Sequence, residues 1–565
     1  MNGCSPIATT GASDVSDEPP QWPHGAMVSA ANPYAARAAA DALRAGGHAV
    51  DAAIAAHTVL SLVEPQSSGI GGGAFMLVYD RAQDTLVAYD GRETAPASVD
   101  AALFADANGE ELGFVAAWQG GLSTGVPGSV AIYELAHSDH GRLPWADNFA
   151  AAARLATEGF EVSPRLAGFL PRIARFARLD ENPGAAEYFF PNGEPLAAGS
   201  LRKNPAYATT LNRIASEGAS AFYTGDIARE IVAQTNADPL PGGLTMADLA
   251  NYRAQRRDAI CAPGAGLRLC TAPPPASGVG VLMMAGLYDR LVPADADRET
   301  RLAAFVDAQR LAYADRDRYI GDPGYSAIPV TALLDPRYLD RRIEERPAPG
   351  AMPAAGDPGL ALGEASLLQR FAADHSRETP STTHLSIVDA AGNAVSLTAS
   401  VEAPFGNSRW VGGFLLNNQL TDFRRAPDGK VHANAPAPGK RPRSSMSPII
   451  GFDAAGQLRL VTGSPGGNSI PAYVAKSVLG VTRWGLSPQA AIDAPNIVAR
   501  GERVRVETST DTGKTIAAAL KARGYDVQER EGENSGLHII TVDAAGLKGA
   551  ADARREGIVI AVPDA

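Results

Sequence analysis

"STTHLSIVDAAGNAVSLTAS", residues 381–400, has the pattern of a β-hairpin: two runs of alternating character flank a turn built on Asp389, Gly392 and Asn393. The first run opens on Ser381, Thr382 and Thr383, and hydroxyls at the head of a strand invite a chemical question. A threonine hydroxyl is a poor nucleophile near neutral pH unless a base lies beside it. An amino-terminal threonine carries such a base on its own α-amine, with a pKa near ~7.7 to 8.0. Cleavage before Thr382, by attack of its hydroxyl on the carbonyl of Ser381, would create that arrangement. The competing reading is structural, since Thr and Ser are common on half-exposed strands.

Upstream of the hairpin, "RPAPGAMPAAGDPGLALGE" (346–364) is rich in proline and glycine and predicts a mobile linker, which would place a flexible region at about 346–381. Downstream the texture is strand-like: "GFLLNN", "SPIIGFDAAGQLRLVTG", "GLHIITVDAAG" and "GIVIAV". Amphipathic helical stretches dominate from about 145 to 350. Near the start, Asn32 caps and Pro33 opens an alanine-rich helix. Gly46 and Gly47 stop it before a second begins near Ala49. "AFMLVYD" and "TLVAYDGRETAP" then alternate as a strand pair. Helix-rich first and strand-rich second, with strands also at the start, predicts an α/β (α+β) fold of stacked sheets covered by helices.

The 565 residues suffice for a large core, and 45% hydrophobic with 20% charged residues is ordinary globular composition. A net charge of -12 and no phosphate-tracking Lys/Arg cluster argue against a nucleic-acid partner. The three cysteines, Cys4, Cys261 and Cys270, have no CxxC or His-rich spacing, so neither a disulfide scaffold nor a structural zinc site is expected. The uncharged run "CTAPPPASGVGVLMMAGLY" (270–288) is broken by Pro273, Pro274 and Pro275, and predicts a buried helix after a proline-rich loop, not a membrane span. Residues 1–25 read as a disordered tail. Within them Asn2, Gly3 and Cys4 resemble the end of a lipoprotein cleavage site; the alternative is a free cysteine on a floppy tail.

Four further motifs invite chemistry. "GLSTG" (121–125) satisfies G-x-S-x-G, but Pro127 and Gly128 stand where a nucleophile elbow needs a helix, so Ser123 reads as loop. "SGIGGGAF" (68–75) lacks the Lys-Ser/Thr of a P-loop and predicts close backbone packing. In "LVTGSPGGNS" (460–469), Gly466 and Gly467 can turn consecutive N–H groups toward one point, as an oxyanion hole requires, or can form a plain tight turn. "KRPRSSMSP" (440–448) sets Ser444 and Ser445 after a cationic run, which suits a small anion or a solvated surface.

Six blocks in order decide among these readings: "GHAVDAAIAAHTVLSLVEPQSSGIGGGAFMLVYD", "GRETAP", "STTHLSIVDAAGNAV", "GFLLNNQLTDF", "RPRSSMSP" and "GSPGG". In them the chain resembles the γ-glutamyltransferases, from about Met27 to Val562. The resemblance implies an N-terminal-nucleophile hydrolase, a four-layer αββα sandwich made as one precursor. That precursor would cut itself before Thr382 into a large subunit (26–381) and a small catalytic one (382–565), a heterodimer. Thr382 would be the nucleophile and its freed amine the base, Gly466 and Gly467 the oxyanion donors, and Thr383 and Ser400 supporting hydroxyls. Arg92 with Ser444 and Ser445 would hold the substrate α-carboxylate, and Gln419 with Asp422 its α-ammonium. No metal or organic cofactor is implied.

Two departures bear on specificity. Glu402 stands where well-known members have asparagine, and the short stretch between Phe423 and Lys440 lacks a lid tyrosine, so hydrolysis is expected to outweigh transfer. The implied substrates are glutathione and other γ-glutamyl compounds, with water, amino acids or dipeptides as acceptors. A glutaryl or cephalosporin acylase of the same superfamily is the alternative, and a silent envelope binding protein a third reading. Analogy places the chain in the periplasm or outside the cell, with Cys4 as a candidate lipid anchor.

Overall fold

The hairpin lies at the centre of a sheet. Ser381–Val388 pairs antiparallel with Ala394–Glu402, with Leu385 opposite Leu397 and Ser386 opposite Ser396. In spatial order the seven strands are Ile558–Val562, Ala26–Ala30, Ser381–Val388, Ala394–Glu402, Gly73–Asp80, Thr85–Gly91 and Gln255–Asp258. The chain is described by a computed structural model covering residues 22–563, except 107, 375, 377, 378, 380 and 425–429 and the side chains of 174 and 175. Cys4 and most of the expected tail therefore lie outside the described residues.

A second, six-stranded antiparallel sheet runs Gly546–Ala551, His538–Asp543, Leu458–Gly463, Ile449–Phe452, Leu267–Thr271 and Ile260–Gly264. Side chains join the two faces. Ser396 Oγ donates to Thr462 O (3.0 Å), Ser386 Oγ to His538 O (3.1 Å) and Ser29 Oγ to Ala550 O (2.8 Å). The hydroxyl-rich character of the hairpin follows from this layer. Successive strand residues point to opposite faces, so His384 and Ser386 face the second sheet, while Leu385, Ile387, Val395 and Leu397 join the apolar core under the helices.

Helices cover both outer faces. Pro33–Arg44 and Ala49–Val63 lie on the seven-stranded sheet, the first capped by Asn32 Oδ1 accepting from Tyr34 N at 2.9 Å. Their buried alanines bring helix and sheet close. Gly278–Leu291, Arg298–Tyr319 and Ile470–Thr482 cover the other sheet. The result is the expected helix–sheet–sheet–helix sandwich. Among the described residues no helix is long and apolar enough to cross a membrane, and the run 278–288 is buried.

Two other loop readings hold. Gly121–Ser123 is a single 3-10 turn in which Ser123 Oγ donates to Gly120 O at 2.7 Å, not an elbow. A Cβ at Gly71 would sit 2.1 Å from Leu415 O, and one at Gly72 2.1 Å from Ser400 O, so glycine is required for backbone approach.

The cysteine reading needs correction. Cys261 and Cys270 form a disulfide between directly opposed positions of a hairpin. Their spacing of nine matches no motif, but the turn at Ala265–Gly266 folds the two strands into that register. The segment 346–364 carries its own anchors: Arg310 donates to Ala348 O (3.1 Å), Arg342 to Ala354 O (2.8 Å), and Gly356 N to Asp315 (2.8 Å).

Candidate active site

Thr382 is the second residue of the central strand Ser381–Val388. Its Oγ1 lies 2.6 Å from the Ser381 carbonyl oxygen and 3.2 Å from Ser400 Oγ, on the neighbouring strand. Ser400 Oγ donates to the same carbonyl at 2.7 Å and accepts from Glu402 N at 2.9 Å. The ladder slips between Ala399 and Glu402, and Glu402 has φ +77. This bulge aims both the Ser400 hydroxyl and the Glu402 carboxylate inward. Ser381 Oγ is held by Gln66 O. A threonine hydroxyl, a carbonyl and a second donor to its oxygen thus meet in one place.

Thr382, Ser400, Glu402, Gln419, Asp422, Ser444, Ser445 and Gly467 line one cleft, which Thr379 shares. Only about 10 Å³ is left in it, room for about one water. Thr379 accounts for part of that filling, since its N–H donates to Glu402 Oε1 at 2.8 Å. Glu402 Oε2 accepts from Asn418 Nδ2 at 2.5 Å.

Asp422 and Gln419 share a short 3-10 turn, Gln419–Asp422, in which Gln419 Nε2 donates to Asp422 Oδ2 at 2.9 Å. Arg92 is fully buried behind them. Its Nη2 donates to Asp422 Oδ2 at 2.6 Å and to Arg443 O at 2.7 Å, and its Nε to Pro442 O at 3.1 Å. The structure therefore brings Arg92 to the back of Asp422 and not to the cleft surface. Glu93, 3.5 Å from Arg92, is pushed up to about 8 by burial, with the guanidinium opposing.

Ser444 Oγ accepts from Met446 N at 3.2 Å, and Ser445 Oγ accepts from Arg316 Nη2 at 2.6 Å. Gly466, at φ +140, precedes Gly467 in the turn after Leu458–Gly463. Such a conformation excludes a side chain, and a Cβ there would also strike Tyr473 at 2.5 Å. Thr383, like Arg92, is a predicted residue that the structure places away from the cleft. The buried Oγ1 of Thr383 has no hydrogen-bond partner.

Supporting residues escaped the sequence reading. Asn434 Nδ2 donates to Asp422 O (2.7 Å) and Asp374 Oδ2 (2.8 Å), and Asn418 Oδ1 accepts from Ala403 N (2.8 Å). Arg316 also donates to Ser277 Oγ at 2.9 Å, and Arg555 Nη1 to Thr382 O at 2.6 Å. Of these, Asn418 alone carried a signal, as an asparagine directly before chemistry-bearing residues in "NNQLTDF"; Asn434, Arg316 and Arg555 lie outside the recognised site motifs. The stretch expected to leave the cleft lidless includes residues 425–429, which lie outside the described residues.

A family model described as gamma-glutamyltranspeptidase matches residues 35–562. The chain is 32% identical over 547 residues to a glutathione hydrolase proenzyme of Bacillus subtilis (strain 168), covering 95% of this chain and 91% of that protein. It is 30% identical over 581 residues to the acylase ACY 1 proenzyme of Pseudomonas sp. (strain SE83), covering 100% and 98%. A crystal structure of cephalosporin acylase from Bacillus halodurans superposes with a TM-score of 0.84 at 29% identity, over 97% of this chain and 99% of that one. With a matching model across nearly its whole length and a relative 32% identical that it covers almost end to end, this chain belongs to the γ-glutamyltranspeptidase family of enzymes.

Proposed function

We propose that the chain cuts itself before Thr382 and then cleaves γ-glutamyl amides through an ester on the Thr382 hydroxyl. The observation that carries this reading is the 2.6 Å approach of Thr382 Oγ1 to the Ser381 carbonyl oxygen, with Ser400 donating to that oxygen. In the first step Oγ1 bonds to the Ser381 carbonyl carbon, and the oxyanion that forms is held by Ser400. The C–N bond then breaks, the hydroxyl proton passes to the departing nitrogen, and an ester joins Ser381 to Thr382. Water hydrolyses the ester, leaving a carboxylate on Ser381 and a free hydroxyl and amine on Thr382.

Turnover repeats the chemistry on substrate. The amine takes the hydroxyl proton, Oγ1 attacks the γ-carbonyl, and the amine part leaves with that proton. Gly466 and Gly467 receive the oxyanion. Asp422, Gln419 and Glu402 supply the negative end of a zwitterion site, and Ser444 and Ser445 its donor end, with Arg92 holding Asp422 from behind. Removal of Thr379 from the cleft would vacate Glu402 and make room for the γ-glutamyl group. Large and small fragments stay together because both sheets hold strands of each: Ala26–Ala30 pairs with Ile558–Val562 and Ser381–Val388, Ala394–Glu402 with Gly73–Asp80, and Ile449–Phe452 with Leu267–Thr271. Hydrolysis is favoured over transfer, and glycylglycine at millimolar levels should leave most acyl groups going to water. The Cys261–Cys270 disulfide fits an oxidising location such as the periplasm or exterior.

The deciding experiment is a denaturing gel with amino-terminal sequencing of the smaller band, which should begin at Thr382. Thr382→Ala should remain one uncut chain without activity. A second reading, a glutaryl or cephalosporin acylase, is favoured by the similarity to two acylases. Glutaryl substrates lack an α-ammonium, so Gln419, Asp422 and Glu402 support the glutamyl reading over a glutaryl one. Rates on γ-glutamyl-p-nitroanilide against glutaryl-p-nitroanilide separate the two.

A further inference from the structure

The cleft residues approach Thr382 from its side-chain end; Arg555 approaches from the other. Its Nη1 donates to Thr382 O at 2.6 Å and its Nη2 to Asn534 O at 3.2 Å, and the side chain is buried at 5% exposure. The arginine is set by a tight turn after Gly546–Ala551, in which Arg555 N donates to Asp552 O at 3.1 Å. Such an arrangement does more than fill space, because a buried guanidinium against a backbone carbonyl is a fixed positive charge.

We propose that Arg555 is a positioning residue that locks the Thr382 carbonyl and, by its charge, keeps the α-amine freed at Thr382 unprotonated near neutral pH. This rests on the reading of Thr382 as an amino-terminal nucleophile. The nitrogen and carbonyl oxygen of one residue are three bonds apart, about 3 to 4 Å. The guanidinium therefore lies roughly 6 Å from the amine, close enough for like charge to disfavour the ammonium in a buried setting.

The need for such a cation comes from the cleft itself. Glu402 and Asp422 line it with Thr382 and, as carboxylates, draw the amine toward the protonated form that cannot act as base. On the opposite side Arg555 faces Glu64, Arg165, Tyr473, Asp552 and His538. The two carboxylates there are engaged elsewhere: Glu64 lies 3.6 Å from Arg165, and Asp552 pairs with Arg554 at 3.1 Å. Among the described residues none forms an ion pair with Arg555, and its Nε has no partner. Burial lowers its pKa to about 9, which still leaves it cationic at neutral pH.

The test is the pH profile of kcat/KM on γ-glutamyl-p-nitroanilide for self-cleaved wild type, R555K and R555Q, since the acid limb reports the base of the free enzyme. R555Q should move that limb upward by about one pH unit or more, so its deficit is at least ~10-fold larger below the limb than above it. R555K, which keeps the charge, should hold the limb near that of wild type. A uniform loss at every pH in R555Q, or no loss, overturns the inference. Should R555Q remain uncut, the amine of the self-cleaved wild type is titrated directly through the pH dependence of its carbamoylation by cyanate. A value below the ordinary ~7.7 to 8.0 supports the inference, and one at or above it overturns it. Failure of the underlying reading looks different: a small fragment that starts elsewhere, or an active Thr382→Ala.

Discussion

Replacing Ser400 with alanine isolates one hydrogen bond in the self-cleavage. Ser400 Oγ donates to the Ser381 carbonyl at 2.7 Å, and besides the attacking hydroxyl it is the donor that the described residues offer that oxygen. As Oγ1 of Thr382 bonds to the carbon, full negative charge develops on the oxygen, so the bond strengthens on the way to the transition state. Losing one oxyanion donor typically costs ~10² to 10³ in rate, about 3 to 4 kcal/mol. The same hydroxyl accepts from Glu402 N at 2.9 Å, an ordinary buried bond whose loss costs roughly 1 kcal/mol of stability. The two effects separate cleanly. Ser400→Ala should fold with a urea midpoint near wild type, yet cut at least 100-fold more slowly in a gel time course. Ester hydrolysis passes through an oxyanion on the same atom, so the result holds whichever step limits. Ser400→Thr keeps the hydroxyl and should cut at close to the wild-type rate. A folded Ser400→Ala protein that cuts within a few-fold of wild type would refute the reasoning.

Asp422→Ala leaves Arg92 buried with Glu93 at 3.5 Å as its remaining ion-pair partner, and should cost about 3 to 5 kcal/mol in urea unfolding as well as abolishing turnover; an unchanged midpoint would show that the pair contributes no net stability. The Cys261–Cys270 bond closes a short loop, so Cys261→Ser with Cys270→Ser should lose about 2 to 3 kcal/mol, and reductant should lower the wild-type melting midpoint but not that of the double variant. His57 and His538 are both pushed by burial from 6.5 down to about 3. Folded values below unfolded ones mean that this stabilisation is complete above pH 6.5 and drains away as the pH falls toward 3, at roughly 1 to 2 kcal/mol per pH unit for each ring. Urea midpoints at pH 7, 5 and 4 measure it, and a flat series contradicts it.

What the sequence disclosed divides by range. Caps, alternation and turn residues act within a few positions, so the hairpin at 381–402, the Asn32 cap and the glycine approach at 71–72 could all be read locally. The buried helix at 278–291 was legible for the same reason, three prolines marking its start. Pairings that depend on how distant segments pack were not legible. Arg92 and Asp422 are 330 positions apart, and their ion pair places the arginine behind the acid instead of beside a ligand. Cys261 and Cys270 face each other because of a turn whose register no cysteine motif encodes.

Thr383 shows that even local information can be overlooked when a motif is carried over whole. Period-two alternation alone puts neighbouring residues on opposite faces of a strand. If Thr382 points to the cleft and His384 to the inter-sheet layer, Thr383 must look the other way, toward the core of Leu385 and Ile387. Of the two hydroxyls expected to support Thr382, it is that of Ser400 that reaches the Ser381 carbonyl, brought there across the strand pair by the slip in the ladder. The same slip turns Glu402 inward, onto the N–H of Thr379. If the chain cuts before Thr382, one extra residue in one strand would set the donor for cutting, position the carboxylate for a substrate ammonium, and keep that carboxylate occupied until the cut is made.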